Sequence, residues 1–165
     1  MSITQNWLAQ GNRFDDIALW ERLCFYLDLQ PGKSAYVRDL PAQFAPLLYD
    51  SHGAQQQRDN WDRFEICPVF FLRERGWCLH TDWVQRLALL RSKDATAIAT
   101  QLRMTVTKRE AKFVRRMTTG VAEVAVCDLC RARGATPRAI THQPSCLIAT
   151  LRGRIAEVES GRLKI

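Results

Sequence analysis

Long apolar runs, disulfide-dense spacing and a glycine-rich phosphate loop are all missing from this 165-residue chain. Charged residues cut every apolar stretch well short of the ~20 residues that a membrane span requires, so no membrane partner is expected. Six cysteines are far below the density of a disulfide scaffold. No basic-then-apolar segment with a small-residue cleavage site opens the chain, and the expected setting is a reducing cytoplasm in which thiols are available to metal. The three histidines, His52, His80 and His142, have no Ser, Cys or carboxylate constellation. Paired acids such as Asp15 and Asp16 fit a helix start, where the helix dipole accounts for them. No enzyme is expected.

What the chain does have is charge, placed unevenly. Residues 1–100 hold 11 Lys or Arg against 12 Asp or Glu, whereas residues 101–165 hold 13 against 5, within a total net charge of +7. Such asymmetry is the footprint of a polyanion-binding end, and double-stranded DNA is the leading partner.

Periodicity predicts a mainly α fold in three parts: residues 1–60 as an N-terminal helical part, 61–120 as a helical body, and 121–165 as a small zinc-knuckle module with a C-terminal helix. Phe14 to Leu29 carries a helical apolar stripe stopped by Pro31-Gly32. Pro41 to Tyr49 is a second short helix with Pro46 as a break, and Ser51 to Asn60 is the best linker. Phe64 to His80 fits a hairpin near Gly76 and a buried helix almost equally, with a slight preference for helix. Trp83 to Leu90 is helical. A helix capped by Ser92 or Asp94, a connection at Arg103–Val106 and a capping box Thr107-Lys108-Arg109-Glu110 opening a helix to Met117 form a helix-turn-helix candidate. On that last helix Lys108, Arg109, Lys112, Arg115 and Arg116 would face DNA.

The most specific signal is Cys127-Asp-Leu-Cys130, followed by a loop rich in turn-forming and basic residues to His142 and Cys146. The pattern C-x2-C-x11-H-x3-C offers four ligands for a tetrahedral structural zinc, because the two-residue gap lets both thiolates face one ion. Arg131, Arg133 and Arg138 in the loop add candidate DNA contacts. Cys78 and His80 form a C-x-H pair that could replace His142, whereas Cys24 and Cys67 read as core. Leu147, Ile148, Leu151, Ile155 and Val158 give the final helix an apolar stripe.

The stretch from Phe113-Val114 to Gly120, then Cys127-Asp-Leu-Cys130 and Ile140-Thr141-His142-Gln143-Pro144, resembles the zinc-binding end of the C subunit of the flagellar master transcriptional activator, a family that includes activators of transfer genes on conjugative elements. The resemblance implies a helical body before a zinc module, promoter binding, and a hetero-oligomer with a smaller helical partner subunit. That family closes its site with a second C-x2-C. Here Cys127 and Cys130 alone match, and His142 and Cys146 rest on spacing. The expected function is a DNA-binding transcription regulator, with a zinc-stabilised adaptor binding another protein through its C-terminal module as the alternative.

Overall fold

The computed structural model describes residues 16–48 and 52–162, so Phe14, Asp15, Tyr49 and Ser51 of the expected elements lie outside the described residues. The chain divides into two compact units between Lys93 and Asp94. Among the described residues no helix is long and apolar enough to cross a membrane. Helix dominates, but two three-stranded antiparallel sheets, one in each unit, qualify the mainly α expectation.

In the first unit, Asp16 caps α1 (Ile17–Asp28) by accepting the amides of Ala18 and Leu19, and the stripe Leu19, Trp20, Leu23, Cys24 and Leu27 is buried as its spacing requires. Pro31 and Gly32, the latter at φ 66°, end it. A single-turn helix α2 (Ala45–Leu48) follows a 3-10 turn at Ala42–Phe44. Pro46 sits near the start of α2, where its missing N–H has no helical partner to lose, and so does not break it. The expected linker at Ser51 to Asn60 is instead helix α3 (His52–Arg63). Glutamine is a good helix former, and the helix gains a buried edge through Ala54, Arg58 and Trp61. Trp61 meets Trp20 edge-on, with ring centroids 5.1 Å apart.

Residues 64–80 correct the preference for helix. Strands β2 (Val69–Leu72) and β3 (Gly76–Leu79) form a hairpin, and β1 (Ser34–Ala35) adds to the outer side of β3. Two four-residue segments around Arg73-Glu74-Arg75 are too short for buried helices and suit strands. Gly76 has φ 77°, and a Cβ there would lie 2.6 Å from the carbonyl oxygen of Ala35, so only glycine lets β1 approach. Helix α4 (Trp83–Ser92) follows as expected. From it the buried Arg86 reaches the Asp82 carboxylate at 2.8 Å and the Cys67 carbonyl at 3.0 Å, tying α4 to the segment before β2.

In the second unit, Asp94 caps α5 (Ala95–Phe113). This single 19-residue helix replaces the expected helix-turn-helix pair. Arg103–Val106 contains no glycine or proline to break it, and Thr107, instead of capping a new helix, donates its hydroxyl to the Arg103 carbonyl one turn back. The helix ends at Phe113 because β4 (Val114–Thr119), β5 (Ala122–Cys127) and β6 (Arg133–Gly134) form a sheet in the order β4-β5-β6. Gly120, at φ 63°, takes the first central position of the two-residue β4–β5 turn. The last helix, α6 (Leu147–Glu159), packs along α5 and buries Ile148, Leu151 and Val158 with Ile98, Leu102 and Val106 in the core.

Candidate metal centre and the basic surface around it

The β4–β5 hairpin delivers Cys127 at its end, directly opposite Val114. The chain then folds tightly: Arg131 donates its amide to the Cys127 carbonyl at 2.8 Å and takes φ 63°, while Cys127 donates to the Ala132 carbonyl at 3.0 Å. This closed turn brings Cys130 beside Cys127. Asp128, between them, donates its amide to the Phe113 carbonyl at 2.7 Å and so anchors the knuckle to the end of α5.

The second half of the site returns through β6 and the 3-10 turn Pro137–Ala139. A Cβ on Gly134 would lie 2.8 Å from the carbonyl carbon of Ala139 and from the amide nitrogen of Ile140, so the absence of a side chain lets the loop fold back closely enough to place His142. Ile140 is buried and pins that return. Cys146 is the N-cap residue of α6.

Cys127, Cys130, His142 and Cys146 thus come together, with their ligating atoms all within 4.8 Å of one another. Cys127 Sγ is 3.9 Å from Cys146 Sγ, and His142 Nδ1 is 3.5 Å from Cys130 Sγ and 3.6 Å from Cys146 Sγ. A tetrahedral shell with Zn–S near 2.3 Å and Zn–N near 2.05 Å has S···S edges of about 3.8 Å and S···N edges of about 3.5 Å. The donor cage is therefore spaced to hold a metal ion and is compatible with zinc. None of the six cysteines is in a disulfide. Cys78 and His80 belong to the first unit and are not members of the cluster.

The electrostatics favour thiolate at Cys130. Burial acts to raise the Cys130 thiol, but the amides of Gln143 and Ala132, with His142 and Cys146 beside it, outweigh burial and pull it down to about 6. Burial raises Cys146 instead, and the neighbouring Cys130 and Cys127 sulfurs add to that. The amides of Ile148 and Ala149 oppose this rise; they make no formal capping bond to the sulfur but still favour its charged form at the helix start. His142 turns Nδ1 to the cluster, and its buried Nε2 has no hydrogen-bond partner among the described residues.

The eight basic candidates do not form one helical face. Lys108, Arg109 and Lys112 lie on the C-terminal half of α5. Arg115 and Arg116 are consecutive in β4 and therefore point to opposite sides of the sheet. Through the register, Arg115 and Arg133 share a face on either side of Val126. Arg115 donates to the Asp128 carboxylate at 2.8 Å and Arg131 approaches it at 3.9 Å, while Arg116 lies 3.7 Å from Glu123. Lys108, Arg109, Lys112, Arg133 and Arg138 have no acidic partner among the described residues. The role of Asp128 in gathering Arg115 and Arg131 at the knuckle was missed by sequence reasoning, because the pairing depends on a strand at Arg115. Comparison of the chain with protein-family models, curated proteins and solved structures found no match.

Proposed function

We propose that this chain is a zinc-stabilised, DNA-binding transcription regulator, an activator subunit working in a hetero-oligomer with a smaller helical partner. The observation that carries the reading is the coincidence of charge with architecture. The first unit, ending at Lys93, is balanced at 11 Lys or Arg against 11 Asp or Glu, whereas residues 94–164 hold 13 against 6. All of the net positive charge belongs to the unit that contains the Cys3His cluster.

Three thiolates and an imidazole are the donor set zinc prefers, and four protein ligands leave no open position for a reactive water. Zinc is then structural. It holds the β4–β5 hairpin, the loop bearing Arg131, Arg133 and Arg138, and the start of α6 in one arrangement. Arginine and lysine contacts to phosphates supply most of the affinity, and side chains reaching base edges supply selectivity. The activator role and the partner subunit are what the resemblance to the flagellar activator family implies.

The adaptor alternative would need the stripe of the last helix exposed. Ile148, Leu151 and Val158 are instead buried, with only Leu147 of that stripe well exposed. The test is selection from a random duplex library with the chain alone and with a co-encoded small helical protein. A regulator enriches a defined sequence when its partner is present. Enrichment in neither sample, with weak and salt-insensitive DNA binding, supports the adaptor.

A further inference from the structure

The first unit contains a cavity of about 570 Å³ that the DNA-binding reading does not use. One side is the face of α3 bearing Arg58, Asp59 and Asp62, and the other carries Phe70, Phe71 and Trp77 from the β2–β3 hairpin. Its volume lies in the ordinary range for small-molecule sites, roughly 300–1,000 Å³.

The polar groups are not equivalent. Arg58 is 5% exposed, donates to the Leu47 carbonyl at 2.6 Å, and lies over the Trp77 ring at 4.9 Å from its centroid. Its guanidinium is thus already engaged by backbone and ring, and it serves as part of the wall. Asp59 and Asp62, one turn apart on α3, have no ion-pair partner among the described residues. Burial, with Glu65 and Asp59 nearby, lifts the Asp62 carboxyl to about 6, against the pull of Arg86, so this carboxylate gains from a cation brought beside it. Across the cavity, Phe71 is 57% exposed and packs edge-on against Trp77, which leaves aromatic surface open. Carboxylates facing aromatic rings are the chemistry that recognises organic cations: the acids supply charge and the rings supply a negative face over an apolar body.

We propose that this cavity binds a small organic cation, an ammonium or guanidinium on an apolar stem, between Asp59 and Asp62 on α3 and Phe71 and Trp77, which share one face of the hairpin. The cation arrives either as a free amine or as the Lys or Arg side chain of a peptide. The site belongs to the first unit and shares no residue with the metal cluster, so its failure would leave the regulator reading untouched.

The test is calorimetric titration of the full chain with agmatine, with N-acetyl-arginine amide, and with the neutral N-butylacetamide. Saturable binding of a cationic probe, with the neutral one at least about tenfold weaker, is expected. The Asp59→Asn, Asp62→Asn double variant should lose at least about tenfold in affinity while remaining folded by circular dichroism, since neither residue is in the core. Tighter binding of agmatine identifies a free amine as the ligand type, and tighter binding of the blocked arginine identifies a peptide side chain. No saturation by either cation up to about 10 mM, or equal affinity in the double variant, overturns the proposal.

Discussion

Gly134 and Ala139 are packed backbone to backbone, so closely that a Cβ on Gly134 would lie 2.8 Å from the Ala139 carbonyl carbon. The contact folds the loop so that His142 reaches Cys130 of the knuckle. Gly134→Ala should therefore cost about 1–3 kcal/mol through overpacking. Because it displaces a ligand without removing one, it should also weaken metal binding by roughly 10- to 100-fold. Competition with a chromophoric chelator measures this, and unchanged affinity would show that the loop is positioned by something else.

Removing a ligand is more severe. Cys127→Ser and Cys130→Ser should each lose the bound metal and destabilise the second unit by at least about 3 kcal/mol, since structural zinc contributes its binding free energy to folding. Cys24→Ser, buried in the first unit, should keep full metal content. Metal analysis of the three purified variants decides it. Wild-type stoichiometry in Cys130→Ser would refute the site.

The basic residues should separate by their pairing. Arg109→Ala, Lys112→Ala and Arg133→Ala each remove a charge with no acidic partner among the described residues. Each should reduce the slope of log affinity against log salt by about one unit if the contact is to phosphate. A loss of about 1–3 kcal/mol confined to particular sequences would mark a base contact. Asp128→Asn should do the reverse: it frees Arg115 and Arg131 and removes a negative charge, so DNA binding tightens while stability changes by no more than about 1 kcal/mol. Weaker binding in Asp128→Asn would mean that the carboxylate positions those arginines for contact.

Acid sensitivity of the first unit should depend on His80. Burial and Arg86 lower its pKa to about 4, against the smaller opposing effect of Asp82, and its ring lies 4.5 Å from that of Phe70. The folded state therefore favours neutral imidazole, whereas the unfolded chain takes up a proton near pH 6.5. The resulting loss of stability develops as pH falls from about 6.5 toward 4 and amounts to at most about 3 kcal/mol. Asp62, raised to about 6, works in the opposite sense over much of that range. Denaturant melts of wild type and His80→Gln at pH 7 and pH 4.5 isolate the histidine. His80→Gln should lose less on acidification, and equal losses would show that His80 is not responsible.

Legibility followed the strength of local signals. The acidic start of α1 at Asp16, the cap at Asp94, the stripe of α1, the Ile148, Leu151 and Val158 part of the α6 stripe, and the four-ligand spacing each have a short-range cause, and all can be read from the sequence. The continuous α5 could not be read in that way: Thr107-x-x-Glu110 matches a capping box, but a capping box starts a helix only where the preceding chain has stopped being one. The strand at Arg115 and Arg116 was hidden because its partner lies across a turn, and strand propensity shows itself through cross-strand neighbours. Residues 64–80 presented the same ambiguity, resolved by pairing with Ser34 and Ala35 far along the chain. Arg58 over Trp77 had no sequence signal, since it depends on that hairpin meeting α3.

The most direct test of the account is the affinity of the full chain for duplex DNA across a salt series, measured with metal bound and after removal by a chelator. The account predicts binding that weakens steeply as salt rises, a sharp loss of affinity on metal removal, and recovery when zinc is restored. Binding that is absent at low salt, or indifferent to both salt and metal, would contradict it.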